Sequence, residues 1–389
     1  MRIGIDVRMF ENEQKSGIPI GVENDLKSWQ RNHPENEYFL MARRPIYLDI
    51  DISDNWHLVT NPIKIDAILS SKSKLFSKPF AMIYAFFTLP LLIKKYKLDV
   101  FWGPAFFLPP KIKGTDQFVT IHDMTSHRFK FGDTYDRLLH KLLLPGTCRA
   151  ATKIITVSKA SARDICKYLK VSKKKLAVSY SSGPDKKDCE IIRKYDPSMK
   201  PELNIKGKYI LFISTIEPRK NIITLINAFE MYMDEYHDDL TLVLAGGRGW
   251  KCEKIYKSAE TSKYKDKIIM PGYISKKEKA FLLTNASVFA YPSLFEGFGI
   301  PVLEAYAYKI PLITTNISSL PEVGGDAAFY IDDPYDASTL AKRIREALTL
   351  SPEQKTLLDE KMERQFAHFS WDKNAEEILN LFEKTKSGK

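Results

Sequence analysis

Cysteine is scarce in this chain: there are four in 389 residues, at 148, 166, 189 and 252, with no C-x-x-C and no paired spacing. That excludes a disulfide framework and a zinc knuckle, and it fits a reducing compartment. Long hydrophobic runs are missing too. The longest, Phe80 to Ile93, has 14 residues and is interrupted by Pro90, whereas a helix needs about 20 to cross a bilayer core. The opening residues, MRIGIDVRMF, enter a strand pattern without an apolar h-region, so no signal peptide is expected. Gly17-x-x-x-Gly21 is neither a dinucleotide fingerprint nor a Walker loop. No helix-turn-helix, RNP or zinc signature speaks for nucleic acid.

What is present is ample core-forming material, 44% hydrophobic against 28% charged residues. That excludes disorder, and the length predicts about two domains. The net charge of +11 is uneven: residues 1–200 hold 34 Lys/Arg and 21 Asp/Glu, and residues 201–389 hold 25 and 27. Basic residues are densest over 67–180, with 21 against 6 acidic. The first half therefore faces an anionic partner, whether nucleic acid, lipid headgroups or a phosphorylated substrate. Phe80 to Ile93, followed by Lys94, Lys95 and Lys97, reads either as a buried helix or as an interfacial segment with lysines on phosphate.

Short apolar runs alternate with helical periods. RIGIDVRM (2–9), DVFWGP (99–104), FVTIHD (118–123) and KIITVS (153–158) read as strands. Gly17 to Gly21 breaks the chain before a helix from Val22 to Asn32, and Pro145 is expected to bend or divide the helix between FVTIHD and KIITVS. The pattern weakens over 186–208, a linker, and restarts with YILFIST (209–215), LTLVLAGG (240–247), KIIMPGYI (267–274), VFAYPS (288–293) and PLITT (311–315). Near-continuous apolar strands alternating with helices predict two doubly wound α/β domains with a cleft between them, 1–200 and 201–370. In 371–389, an amphipathic helix from Asp372 to about Lys384 buries Ala375, Ile378, Leu379 and Phe382.

Three strand ends carry chemistry. After VFAYPS, the loop Glu296-Gly297-Phe298-Gly299-Ile300 leads into a helix with Pro301 in its first turn. Free N–H groups and bare glycine backbone there suit a phosphate, with Glu296 and Glu304 available to ligand hydroxyls. A tight connection with two surface glutamates reads equally well from spacing alone. After YILFIST, Arg219 and Lys220 stand at a helix start, where Arg can fork onto a diphosphate and Lys acts as a point charge; a solvated basic pair is the plainer reading. FVTIHD ends in His122 and Asp123, and a histidine so placed can exchange a proton with a hydroxyl or be a satisfied half-buried ring. Gly246-Gly247-Arg248-Gly249 reads as a turn, and Asp49-Ile50-Asp51 has metal-transferase spacing in a stretch without a strong strand.

In this order, IEPRKN, GYIS, PSLFEGFGIPVLEA with its E-x7-E spacing, SSLPEVGGDAA and FSWDKNAEEIL resemble the retaining glycosyltransferases of the GT-B fold, group 1 (family 4). IHD and ITVSKASARDI match more loosely. The resemblance implies two Rossmann-like domains facing a central cleft, the C-terminal one holding a nucleotide-diphosphate sugar and the N-terminal one the acceptor, with the terminal helix crossing back to the first. It implies that Arg219 and Lys220 hold the diphosphate, Glu304 binds the ribose, and Glu296 with the amides of Gly297, Phe298, Gly299 and Ile300 positions sugar and phosphate. Backbone near Tyr273 would meet the base, His122 would face the sugar with Asp123 beside it, and Gly17 would border the diphosphate. It further implies retention of configuration, no cofactor and no catalytic metal. The motifs look most like bacterial transferases that build surface polysaccharides such as O-antigen, often mannosyltransferases using GDP-mannose; rhamnose, fucose and UDP-hexoses stay open. A polyprenyl-diphosphate-linked saccharide acceptor at the cytoplasmic face of the membrane would explain the basic first half.

The sequence departs from the family pattern at four places. Ser214 and Lys309 stand where glycines are usual, SGIPIGVEN is longer than the common loop, and SYSSGPD (179–185) replaces YNGVD. With Lys309 there, Ile310 before Pro311 is expected to end the helix. Rival readings are a non-catalytic binder of anionic membrane or nucleic acid on the same fold, and a sugar-nucleotide epimerase or phosphorylase.

Overall fold

The computed structural model describes residues 1–13, 17–60, 82–128 and 134–387. Contacts divide the chain into two units, Met1–Ser181 with Trp371–Lys389, and Ser182–Ser370.

The first unit is built on seven strands: β1 (Arg2–Asp6), β2 (Glu37–Ala42), β3 (Trp56–Thr60), β4 (Val100–Gly103), β5 (Asp116–Thr120), β6 (Lys153–Thr156) and β7 (Leu176–Val178). They pair in parallel in the order β3-β2-β1-β4-β5-β6-β7. Successive strand residues serve opposite faces, as the pleat requires. Leu40, Trp102 and Phe118 join one core with Val22, Leu26 and Trp29 of α1 (Ile18–Asn32). Their neighbours Phe39, Phe101 and Val119 join the other, with Leu92 of α2 (Leu89–Lys95), Leu144 of α3 (Thr134–Ala150) and Ile165 of α4 (Lys159–Leu169).

Helix α1 starts at Ile18 rather than at the expected Val22. Pro19 fits the first turn because its missing N–H would be unpaired there anyway. Gly21 lies under the Trp371 indole, where a Cβ would come within 3.0 Å. Pro145 lies inside α3, which continues undivided to Ala150. Of the Phe80–Ile93 run, Phe80 and Ala81 fall outside the described residues, as do 67–79 of the basic segment. The remainder divides along its length: Tyr84, Leu89, Leu92 and Ile93 are buried, while Ile83, Phe87 and Leu91 are 50%, 67% and 67% exposed.

The terminal helix, Trp371–Ser387, belongs to this unit. Ala375, Ile378, Leu379 and Phe382 are buried in the α1-side core. The Trp29 indole donates to the Ala375 carbonyl at 2.8 Å, Asn374 donates to Ser179 Oγ at 2.8 Å, and the Phe382 ring lies 4.5 Å from that of Phe118.

The second unit has six parallel strands, β8 (Lys208–Ile213), β9 (Leu240–Ala245), β10 (Ile268–Gly272), β11 (Val288–Tyr291), β12 (Leu312–Thr315) and β13 (Ala328–Ile331). Their order is β10-β9-β8-β11-β12-β13. Counted from β8, this is the 3-2-1-4-5-6 Rossmann arrangement, and its topological switch point lies between β8 and β11. Its helices are α5 (Ile222–Tyr236), α6 (Glu253–Thr261), α7 (Lys276–Asn285), α8 (Ile300–Ala307), α9 (Leu320–Gly324), α10 (Ala337–Leu348) and α11 (Pro352–Phe366). Residues 182–200, expected in the first domain with a linker from 186, sit with this unit instead. Asn285 donates to the Ile192 carbonyl at 2.7 Å, and Lys277 pairs with Asp196.

Helix α8 ends at Ala307, earlier than Ile310. Lys309 takes the left-handed position, φ +55°, with its N–H on Tyr306 O at 3.0 Å and the Ile310 N–H on Ala305 O at 2.9 Å. This is the Schellman pattern with lysine where glycine is favoured.

Candidate active site

The switch point of the second sheet gathers the loops after β8 and β11. After β8, residues 214–217 lead into a single turn, Pro218–Lys220, and left-handed Asn221 (φ +58°) starts α5. The Gly246–Gly249 segment braces this loop. Ile216 donates to Gly247 O at 2.9 Å, and a Cβ on Gly246 would meet Ser214 O at 1.8 Å, so only glycine fits. Expected as a turn, the segment instead runs alongside the basic loop, with Arg248 in a parallel bridge to Ile216.

After β11 the chain runs through residues 292–296, and the Leu294 N–H donates to Arg219 O at 2.9 Å, tying the two loops together. Arg219 NH1 reaches Phe295 O at 2.8 Å and Glu296 Oε2 at 2.9 Å, while its Nε and NH2 fork onto Glu217 Oε1 at 3.0 and 2.6 Å. Lys220 Nζ lies 2.6 Å from Glu296 Oε1 and 2.7 Å from the Tyr291 hydroxyl, which donates to the same Glu296 oxygen at 2.9 Å. From the β12–α9 connection, Ser318 Oγ donates to Glu296 O at 2.5 Å and Ser319 Oγ to Phe298 O at 2.7 Å. Gly299, at φ +110°, then caps α8.

Arg219, Lys220, Glu296 and the loop 297–299 therefore form one cluster. Glu304 pairs instead with Lys279 of α7. The Tyr273 ring is 70% exposed, and its carbonyl accepts from Lys200, whose ammonium also donates to Pro271 O at 2.8 Å. Three expected residues stand in the first unit. His122 Nε2 lies 2.8 Å from Pro104 O, Asp123 Oδ1 accepts from the Thr125 N–H at 2.8 Å, and Gly17 caps α1 at φ +58° with open space where a Cβ would be. Among the described residues no group of His, Cys, Asp and Glu could hold a metal ion, and Asp49 pairs with Lys27 at 2.6 Å.

Residues 197–365 match the family described as glycosyl transferases group 1. This chain carries a group 1 glycosyltransferase domain. Over 298 residues it is 29% identical to O-antigen chain mannosyltransferase B of Escherichia coli, covering 75% of each chain. Against serotype-specific mannosyltransferase WbdA of Escherichia coli it is 30% identical over 237 residues, 60% of this chain but only 29% of that longer protein. Sucrose-phosphate synthase from Thermosynechococcus elongatus superposes with a TM-score of 0.73 at 18% identity, each chain fully covered. At that identity the likeness establishes the fold, which is GT-B.

In this glycosyltransferase the cluster is nearly closed to water, with the Lys220 side chain 5% and that of Glu296 10% accessible. Burial pulls the Lys220 ammonium below its ordinary value. Burial also opposes ionisation of Glu296, but the charges of Lys220 and then Arg219 outweigh it and hold the carboxyl at about 2. Two cations around one carboxylate at hydrogen-bond distance favour the ionised pair. For His122, burial lowers the pKa against the opposing pull of the Pro104 carbonyl and Asp123, so the ring is neutral near pH 7.

Glu217, Tyr291, Ser318 and Ser319 join the site without a signal of their own in the sequence. Glu217 and the two serines lie inside motifs that carried the family resemblance, whereas Tyr291 reads as an ordinary strand residue. Only the adjacency of β8 and β11 places its hydroxyl on Lys220.

Proposed function

We propose that the chain transfers mannose from GDP-mannose, with retention of configuration and without a metal, to a lipid-linked saccharide of a bacterial surface polysaccharide. The observation that carries this reading is the paired Arg219–Lys220–Glu296 cluster at the switch point of the group 1 domain, where Rossmann sheets hold nucleotides. Arg219, its side chain 18% accessible against 5% for Lys220, exchanges its fork on Glu217 for one on the donor diphosphate. Lys220, locked on Tyr291 and Glu296, supplies fixed positive field to the leaving group. Glu296 and the 297–300 amides orient sugar and phosphate, Glu304 meets the ribose, and the backbone near Tyr273 meets the base. The acceptor oxygen bonds to the anomeric carbon on the face that the diphosphate leaves, and the hydroxyl proton passes to the departing phosphate oxygen.

Mannose is the transferred sugar because the relatives matched over most of this chain's length carry mannosyltransferase names. No helix among the described residues is long and apolar enough to cross a membrane. Exposed Ile83, Phe87 and Leu91 beside Lys94 and Lys95 support peripheral contact with the anionic inner face of the membrane.

A thermal-shift panel of GDP-, UDP-, ADP- and dTDP-sugars tests the donor, since a ligand bound only by the native state raises its stability. GDP-mannose should stabilise the protein above the others. Preferential stabilisation by another base or sugar overturns the donor assignment, and no shift with any donor alongside tight binding to anionic vesicles returns the chain to the non-catalytic reading.

A further inference from the structure

At the carboxyl end of β4 the backbone makes a turn that it resists. The Phe107 N–H donates to Ala105 O at 2.8 Å across Phe106, whose φ is +66°. This is the positive-φ form of the γ-turn, the rarer and more strained one, with a phenylalanine where glycine would sit freely. The surroundings impose it. The Phe106 N–H is held by Thr120 O at 3.0 Å, Pro104 O by His122 Nε2 at 2.8 Å, the Leu108 N–H by Thr147 Oγ1 at 3.3 Å, and Pro109 O by Gln117 Nε2 at 3.1 Å. At Gly103 a Cβ would come within 2.4 Å of Phe107 O, so the loop also depends on that missing side chain. Strain so firmly enforced belongs to binding sites more than to scaffolding.

The turn places the half-buried Phe106 ring 5.7 Å from His122 and 5.1 Å from His140. A carbonyl can only accept, so the bond to Pro104 puts the His122 proton on Nε2 and leaves Nδ1 a lone-pair acceptor. Nδ1 has no hydrogen-bond partner among the described residues. An aromatic face beside an acceptor nitrogen fits a ligand with an apolar face and a hydroxyl edge. A lipid tail would leave Nδ1 unpaired, and an ionised phosphate has no proton to give it.

The geometry points to Phe106 as the platform for one pyranose ring of the acceptor saccharide, its C–H face on the phenyl ring and a hydroxyl donating to His122 Nδ1. This rests on the chain being a glycosyltransferase and adds the residue that selects the acceptor. The test is saturation-transfer-difference NMR with mannobiose on the full chain, wild type against Phe106→Gly and Phe106→Trp, together with acceptor KM. Phe106→Gly relieves the strained φ and keeps the fold. Binding should weaken at least tenfold in Phe106→Gly and persist in Phe106→Trp, with the GDP-mannose thermal shift the same in all three. No mannobiose signal from wild type, or equal binding by Phe106→Gly, overturns the platform. Mannobiose binding through Phe106 without transfer from any nucleotide sugar instead sinks the glycosyl-transfer reading and leaves the platform standing.

Discussion

Lys220 and Glu296 form a buried ion pair at 2.6 Å, and the Tyr291 hydroxyl hydrogen-bonds to both. A pair so deeply buried resists the removal of one partner more than the removal of both.

Lys220→Met should therefore abolish transfer and also destabilise the second unit by about 3 kcal/mol. The double variant Lys220→Met/Glu296→Leu should recover most of that stability and none of the activity. Urea unfolding of the four proteins of the cycle, with transfer assayed alongside, checks this. Additive stability losses would show that the pair is not coupled as described.

Glu296 also sets an acid limit. Its folded pKa, about 2, is depressed from an ordinary value of 4.5. The stabilisation is therefore present above 4.5 and is lost as pH falls from there toward 2. In Glu296→Gln the stability curve should be flatter across that interval, as read from urea midpoints at a series of pH values.

Asp25 works in the opposite direction. Its carboxyl is buried in α1 at 4% exposure, Oδ1 has no hydrogen-bond partner, and burial raises its pKa well above the ordinary 3.8. With the folded pKa raised, stability is full below 3.8 and declines as pH rises through the folded value. Asp25→Asn should gain roughly 1–3 kcal/mol near neutral pH, and the gain should vanish toward pH 3. Thermal melts at pH 3 and pH 8 separate the two limits, and an equal effect at both would sink the account.

Lys309→Gly should stabilise as well. Relief of the left-handed backbone is worth about 1 kcal/mol, against less than that for the exposed pair with Glu363 at 2.8 Å. The melting temperature should rise by about 1–3 °C, and a fall would mean that the Glu363 pair matters more than the backbone.

Much of this architecture was legible locally. Apolar runs marked β1, β4, β5 and β6 and most of the second sheet, because strands buried on both faces carry little else. EYFLMA and WHLVT, which form β2 and β3, carry no such mark. A short apolar run has no period that tells strand from helix, and β3 pairs with β2 alone at the sheet edge. The start of α1 is hidden in the sequence because Gly21 reads as a breaker, whereas the Trp371 indole, far along the chain, occupies the space of its missing side chain.

By itself the sequence determined the alternation of strand and helix, the two sheets it implies, and the positions of Arg219, Lys220, Glu296 and His122 at strand ends. These follow from period and spacing, which are local. Only the tertiary structure decided the partners. Lys220 meets Tyr291 across 71 residues because the sheet order sets β8 beside β11, while Glu304 is drawn to Lys279. Strand adjacency is a property of the folded sheet, and no local pattern encodes which two loop ends it will bring together.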